Sequence, residues 1–398
     1  QHLTQEIMAA SQLIELLLQQ WQLSTSNLIL LAIVPVVSVL LLRMSGRNSG
    51  LKLPPGPTRL PIVGNLHQIG SLPHRSLQAL ARRHGPVMML KLGMVPTVVL
   101  SSPEAAREAM KTHDADCSSR SDSPGPRLLS YGYRDVAFSP YSEYVREMRK
   151  LFISEMLCMR RVQAASYARA AQVYILAICC TQASNIHRIR LCLDTFSGGN
   201  DSSSITLHWA MAELMLNPRV LKKVQDEIRA VVGKKERVQH DDMRKLKYLR
   251  MVVKETLRLH PPATLLIPRE TIRHINVGGY DIPAKTKVIV NAWAIGRDPK
   301  IWKDPEEFCP DRFEETDIDF NGAHFELIPF GSGCRICPGL AMAVLNMEFI
   351  LANMLFCFNW ELPEGMRKED IDMKEAGGLL YHKKTPLLLL AIRQYTTD

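Results

Sequence analysis

Apolar and charged positions alternate on different scales along this chain. From Leu16 to Leu42 there is no charged residue, and Leu28 to Leu42 is apolar almost throughout, with Pro35 tolerated. Those fifteen residues would span about 22 Å as a helix, short of a bilayer core, and Leu23 to Asn27 extend the run. Arg43, Arg47 and Lys52 follow it, and positive charge on that flank predicts that the rest of the chain stays on the cytosolic side. A cleaved signal peptide is one rival reading, but no basic region precedes the run and no small-residue cleavage site follows. A buried core helix is the other. Leu53-Pro54-Pro55-Gly56-Pro57 then predicts a stiff hinge.

Beyond the hinge, helical periodicity takes over. Leu193 to Met215 predicts one long helix that carries Gly198 and Gly199 in its interior. Met251, Val252, Leu257 and Leu259 predict a partly buried helix that stops at Pro261-Pro262. An apolar helix begins near Pro338, directly after a glycine-rich loop. At 398 residues, with 46% apolar and 22% charged, the chain can bury a large core. The net charge is +9 without single-sign clusters or aromatic-basic interleaving. That pattern excludes nucleic acid as a partner and fits an anionic membrane surface and an acidic electron donor. Nine cysteines without disulfide-like spacing point to a reducing compartment.

The most specific chemistry lies in Phe330-Gly331-Ser332-Gly333-Cys334-Arg335-Ile336-Cys337-Pro338-Gly339. Glycines there let the backbone approach a flat group and present N–H donors to a sulfur. The following helix points its positive end at Cys337, which favours a thiolate, and Arg335 offers a fork of donors to a carboxylate. Cys334 and Cys337 also read as Cys-x-x-Cys, a redox dithiol or half a zinc site, although no second pair or His-rich partner follows. Glu255 and Arg258 share a helix face, which alone would be an ordinary surface ion pair. Ser202 follows Gly198 by four residues and can bond its carbonyl, although Asp201 and Ser202 also suit a helix N-terminus.

Phe330, Gly333, Arg335, Cys337 and Gly339 match the haem-ligand signature of the cytochrome P450 superfamily, and the chain resembles plant members of its 71 clan. The resemblance implies a mainly α fold with small β-sheets (α+β), haem b held by Cys337, and Phe330, Gly333, Arg335 and Gly339 around it. Arg149 and Arg269 match the basic contacts to the haem propionates, with Val145 where the family has tryptophan. Either arginine alone would more often be a solvated surface residue. Glu255, Arg258 and Arg312 match a structural clamp, with Asp311 where glutamate is usual. Asp201 and Ser202 resemble the acid–alcohol pair that relays protons to dioxygen, with serine for the usual threonine. Leu265, Leu266, Gly198 and Leu379 are substrate-contact candidates by resemblance. Pro73-His74-Arg75-Ser76-Leu77 and the stretch Ala292 to Pro299 resemble grass enzymes related to aldoxime-converting monooxygenases.

The implied organisation is an N-terminal flank over 1–27, a membrane anchor over 28–42, a basic and proline-rich hinge over 43–58 and a haem-thiolate domain over 59–398. The implied activity is insertion of one oxygen atom from O2 into a small apolar plant metabolite. Electrons would come from NADPH through NADPH-cytochrome P450 reductase. The protein would sit at the endoplasmic reticulum membrane, anchored in lipid by one span. The resemblance covers Leu53 to Gln163 and Leu193 to Ile392. About thirty residues lie between, where the family carries on the order of a hundred or more, beyond loop variation. The absent stretch would roof the substrate pocket. In its place stands the apolar run Val173 to Cys180, with no family counterpart. A haem-binding remnant or faulty gene model is therefore one alternative. An oxygen-independent isomerase or dehydratase is another, against which Asp201 and Ser202 argue.

Overall fold

The computed structural model describes residues 33–36, 38, 50–130, 132–157 and 186–394. The chain divides into two compact units, Gln1–Leu51 and Lys52–Asp398. In the first, Ile33 to Val36 and Ser38 are helical and exposed. The rest of the expected anchor lies outside the described residues, as do the flank and most of the junction over 164–193.

The second unit is helical with small sheets. Its long elements are α1 (Pro73–His84), α2 (Glu143–Leu151), α3 (Ile186–Leu216), α4 (Pro218–Val232), α5 (Lys247–Leu259) and α6 (Leu340–Cys357). The main sheet comprises β1 (Val87–Leu92), β2 (Val95–Leu100), β3 (Arg269–Glu270) and β6 (Lys287–Val290), with the order β1-β2-β6-β3. β1 and β2 pair antiparallel with Val87 opposite Leu100, whereas β2 and β6 run parallel. Three two-stranded sheets complete it: β4 (Ile275–Val277) with β5 (Tyr280–Ile282), β7 (Phe358–Glu361) with β10 (Leu390–Arg393), and β8 (Glu375–Gly377) with β9 (Tyr381–Lys383).

Helix α3 is longer than its hydrophobic pattern predicts, starting at Ile186 and running unbroken through Gly198-Gly199. Helix α5 ends before Pro261-Pro262, where the missing N–H and ring clash forbid another turn. From Lys52 onward the proline-rich segment is not a free hinge. Lys52 O accepts from Asp281 N–H (2.8 Å), Lys52 N–H donates to the Asp281 carboxylate (2.8 Å), and Met89 N–H donates to Pro55 O (2.8 Å). A Cβ on Gly56 would lie 2.0 Å from Met89 O, so only glycine passes there.

Two hydrophobic cores position the site. One joins α3, α4, α5 and α6 through Leu214, Ile228, Leu249, Leu257, Leu351 and Leu355. The other lies at the sheet and holds Val98, Leu100, Met110, Val290, Phe325 and Ile328. Full burial of each such side chain contributes about 1.5–3 kcal/mol. Consecutive residues Leu327 and Ile328 fall into different cores, so the glycine-rich loop that follows is suspended between them. By length and composition α6 alone among the described helices is apolar enough to cross a membrane. Its buried Met347, Leu351, Ala352 and Leu355 explain that composition by core packing instead.

The β8–β9 hairpin is tied to α1 across 300 residues of chain. Glu375 accepts from Arg75 Nε (2.9 Å) and pairs with His74 Nε2 (3.0 Å), with His74 itself fully buried against Trp293 and Tyr381. Burial alone would raise the Glu375 carboxyl, but hydrogen bonds from His74 and Arg75 and their charge outweigh it and pull it down to about 2. A folded value below the unfolded one stabilises the protein above the unfolded value and is lost as pH falls toward the folded one. Glu375→Gln should therefore destabilise the protein by up to about 3 kcal/mol near pH 7. In urea denaturation the gap between variant and parent should narrow from pH 5 downward and close near pH 2. A pH-independent gap would show that the ionic contact is not what holds the hairpin.

Candidate active site

The loop Phe330 to Gly339 doubles back before α6. Cys337 N–H donates to Phe330 O (2.9 Å) and Ile336 N–H to Gly333 O (3.0 Å). Gly331 and Gly333 both adopt positive φ, +71° and +68°. At Gly333 a Cβ would sit 2.4 Å from Met110 O and 2.5 Å from the Asp114 carboxylate, so the turn admits no side chain. Phe330 stacks edge-on against Phe320, and Gly339 caps the start of α6. Burial pushes the half-buried Cys337 thiol up, while the N–H groups of Gly339 and Leu340 and the charge of Arg149 pull the other way. The helix start does favour a thiolate, but burial outweighs it.

Around this loop four guanidiniums are buried, each 4–8% exposed. Arg335 donates from Nε to Ser118 O (2.9 Å) and from Nη2 to Ser139 O (2.6 Å). Its buried Nη1 has no partner among the described residues. Arg269 bonds Asp114 (2.7 Å) and Ser332 O (2.6 Å). Arg149, on α2, donates to Val136 O (3.2 Å) and to Ile336 O. Arg120 donates to Ala137 O, Ile267 O and Pro268 O at 2.6–3.0 Å. Burial, then the neighbouring Arg149, lowers Arg335 to about 10, and burial and the other three guanidiniums lower Arg120. Asp114 and Asp135 supply two carboxylates against four positive charges.

That surplus, with a buried donor left open on Arg335, fits a dianionic group such as the two propionates of haem. Cys337 at the mouth of α6 fits the metal. Sequence reading missed Arg120 and Asp114. Each sits in an ordinary polar stretch, and partners such as Ile267 for Arg120 and Arg269 for Asp114 lie more than a hundred residues away, so no local pattern marks them.

The clamp residues meet. Glu255 and Arg258, both fully buried, form a two-pronged pair at 2.7 and 2.8 Å. Arg312 Nε reaches the same carboxylate at 3.0 Å, and Cys309 N–H at 2.8 Å. The remaining Arg258 donors go to carbonyls of Gly296, Pro305 and Glu307. Asp311 stays outside, held by Lys223 and by Tyr248 at 3.0 Å.

On α3, Ser202 Oγ donates to Gly198 O (2.9 Å), and Asp201 is exposed beside Asn200. No Cβ clash bars a side chain at Gly198 or Gly199. Of the substrate candidates, Leu266 (φ +53°) comes within 3.9 Å of a Cβ built on Gly331, beside the cysteine loop. Leu265 turns instead into a separate cluster with Leu77, Met88 and Leu90. Gly198 is exposed on α3, and Leu379 is 58% exposed at the β8–β9 turn.

A mainly helical fold whose last long helix starts at such a cysteine is the architecture of a haem-thiolate oxidoreductase. The family model for cytochrome P450 matches residues 54–175 and 181–390. The chain belongs to the cytochrome P450 family. It is 43% identical over 509 aligned positions to 4-hydroxyphenylacetaldehyde oxime monooxygenase of Sorghum bicolor, covering 94% of this chain and 95% of that one. It is 37% identical to cytochrome P450 71B34 of Arabidopsis thaliana, covering 92% and 98%. A match of 37% to 2-methylbutanal oxime monooxygenase of Manihot esculenta covers 90% and 95%. Among solved structures, a zebra fish cytochrome P450 with abiraterone superposes with a TM-score of 0.68 at 21% identity, covering 81% of this chain and all of that one. The chain is thus a plant P450 of the 71 clan and an oxidoreductase of the monooxygenase type. The family match also runs through residue 175, so the first part of the Val173–Cys180 run does have a family counterpart.

Arg258→Ala would leave Glu255 buried with only Arg312 as a charged partner, a loss of about 3–5 kcal/mol. Soluble protein should fall sharply, whereas the double variant Glu255→Ala/Arg258→Ala should be less than the sum of the single losses. A folded Arg258→Ala protein with parental denaturation would contradict the clamp.

Proposed function

We propose that this chain is a haem-thiolate monooxygenase of the endoplasmic reticulum membrane that acts on a small apolar aldoxime and takes electrons from NADPH through a reductase. The unbalanced ring of buried guanidiniums about the Cys337 loop, with Arg335 Nη1 open, carries the haem part of the reading. The oxime part is supported by relatives named for that substrate class in Sorghum, Manihot and Prunus mume. When bound, haem supplies activation of dioxygen, tuned by a thiolate ligand.

The chain's own residues then have separate tasks. Cys337 gives the sulfur, and the N–H groups of Gly339 and Leu340 stabilise its charge. Arg335, Arg269, Arg149 and Arg120 would hold the propionates. Ser202 donates its hydroxyl hydrogen to Gly198 O, which sets its rotamer, and would turn that hydrogen outward to relay a proton. Asp201, exposed, exchanges protons with water and passes them on through Ser202.

A second conclusion concerns the short form. The Sorghum alignment extends over 509 positions against 398 residues in this chain, and the family match breaks between residues 175 and 181. Both observations support an internal deletion of the segment that would roof the substrate site. Losing even a few hundred Å² of apolar cover weakens substrate binding by several kcal/mol at about 25 cal/mol per Å². The open site also admits water that a closed one excludes.

Cys337→Ser should abolish the red-shifted Soret band of the reduced, carbon monoxide-bound protein, whereas Cys334→Ser should keep it. Equal behaviour of the two variants would overturn the assignment. Phenylacetaldehyde oxime turnover should be weak in the 398-residue chain and rise on reinsertion of the missing segment. Robust turnover by the short chain would contradict the roof reading.

A further inference from the structure

Cys334 has no place in the function just described. We propose that Cys334 and Cys337 form a reversible disulfide in the haem-free protein, so that the redox state of this pair decides whether the Cys337 sulfur is free to take haem. The proposal rests on the reading of Cys337 as the haem ligand.

Geometry brings the two cysteines onto one turn. The Ile336 N–H bond to Gly333 O closes the segment that contains Cys334, and the Cys337 bond to Phe330 O folds the chain back on itself. Only two residues lie between them, so closing the ring costs little loop entropy. Cys334 is exposed and Cys337 half-buried, so a small oxidant reaches both. Among the described cysteines Cys117 is the neighbouring rival, but it is fully buried, out of reach of an oxidant that meets the exposed Cys334. Cys357 lies at the far end of α6, about 27 Å along the helix axis from its start, and Cys309 N–H is held in the Glu255 clamp.

Gly333 is wedged against Met110 and Asp114, and Cys334 N–H donates to Asp114 (2.6 Å), so Cys334 stays put. Closure therefore requires Ile336 to leave its extended conformation (φ −54°, ψ 150°) and Cys337 to swing on Gly339. Because Ile336 O accepts from Arg149, that swing also releases one of the four guanidiniums that would hold the propionates.

The chemistry needs one two-electron oxidant, hydrogen peroxide. The Cys334 sulfur attacks the peroxide, forming S–O as O–O breaks, and leaves a sulfenic acid and one water. The Cys337 sulfur then attacks the Cys334 sulfur, forming S–S as S–O breaks, and the departing hydroxide takes the thiol proton as a second water. Two thiols are oxidised and one peroxide is reduced. A dithiol reductant reverses the step, whereas haem on Cys337 excludes it.

The test uses the full chain in detergent, prepared haem-free, reduced, and then treated with hydrogen peroxide. Peptide mapping should find a Cys334–Cys337 link with the loss of two hydrogens. Haem added afterwards should fail to give the thiolate-ligated spectrum until dithiothreitol is supplied. Cys334→Ser should take up haem equally before and after peroxide. A Cys334–Cys117 link, no link, or equal loss of uptake in Cys334→Ser would overturn the pair. Reduced Cys337→Ser separates the two readings. If that variant still gives the thiolate spectrum, the ligand assignment fails, while the mapped link reports on the pair alone.

Discussion

Four positive side chains buried within one loop's reach of each other are the constraint on which this structure turns. A guanidinium removed from water needs hydrogen bonds for its donors and opposite charge for its field. Here backbone carbonyls satisfy most of the donors, and Asp114 and Asp135 offset half of the charge. What remains is two positive charges and one open donor, beside a cysteine at the start of an apolar helix. Only a dianion with a cationic centre satisfies both halves of that site. Haem has that charge distribution, and the family supplies haem as its cofactor.

The scaffold that holds these arginines is built from parts remote from them. The Glu255–Arg258–Arg312 cluster ties α5 to the loop before the cysteine segment, and it does so with charged hydrogen bonds in a place that water does not reach. Leu327 and Ile328 anchor the following strand of chain into separate cores. Both cores that flank the cysteine loop are built from described residues of the second unit.

Local pattern revealed the elements whose determinants are local. The end of α5 at Pro261, the start of α6 after Gly339 and the i to i+4 bond of Ser202 to Gly198 follow from spacing alone. Glu255 and Arg258 could be paired by spacing, but their burial could not, because it depends on carbonyls of Gly296, Pro305 and Glu307. Arg120 and Asp114 were invisible for the same reason. The hinge was misjudged because prolines report stiffness, not what the stiff segment lies against. Here Pro55 and Gly56 run along β1. The early start of α3 at Ile186 was missed although Ile186, Ile189 and Leu193 stand at helical spacing.

The central claim is that iron is held by a sulfur of this chain. X-ray absorption at the iron edge of the haem-loaded 398-residue protein tests it without relying on activity or on a variant that must fold. A single sulfur scatterer beside the four porphyrin nitrogens is the result this account requires. A fifth ligand of nitrogen or oxygen would contradict it.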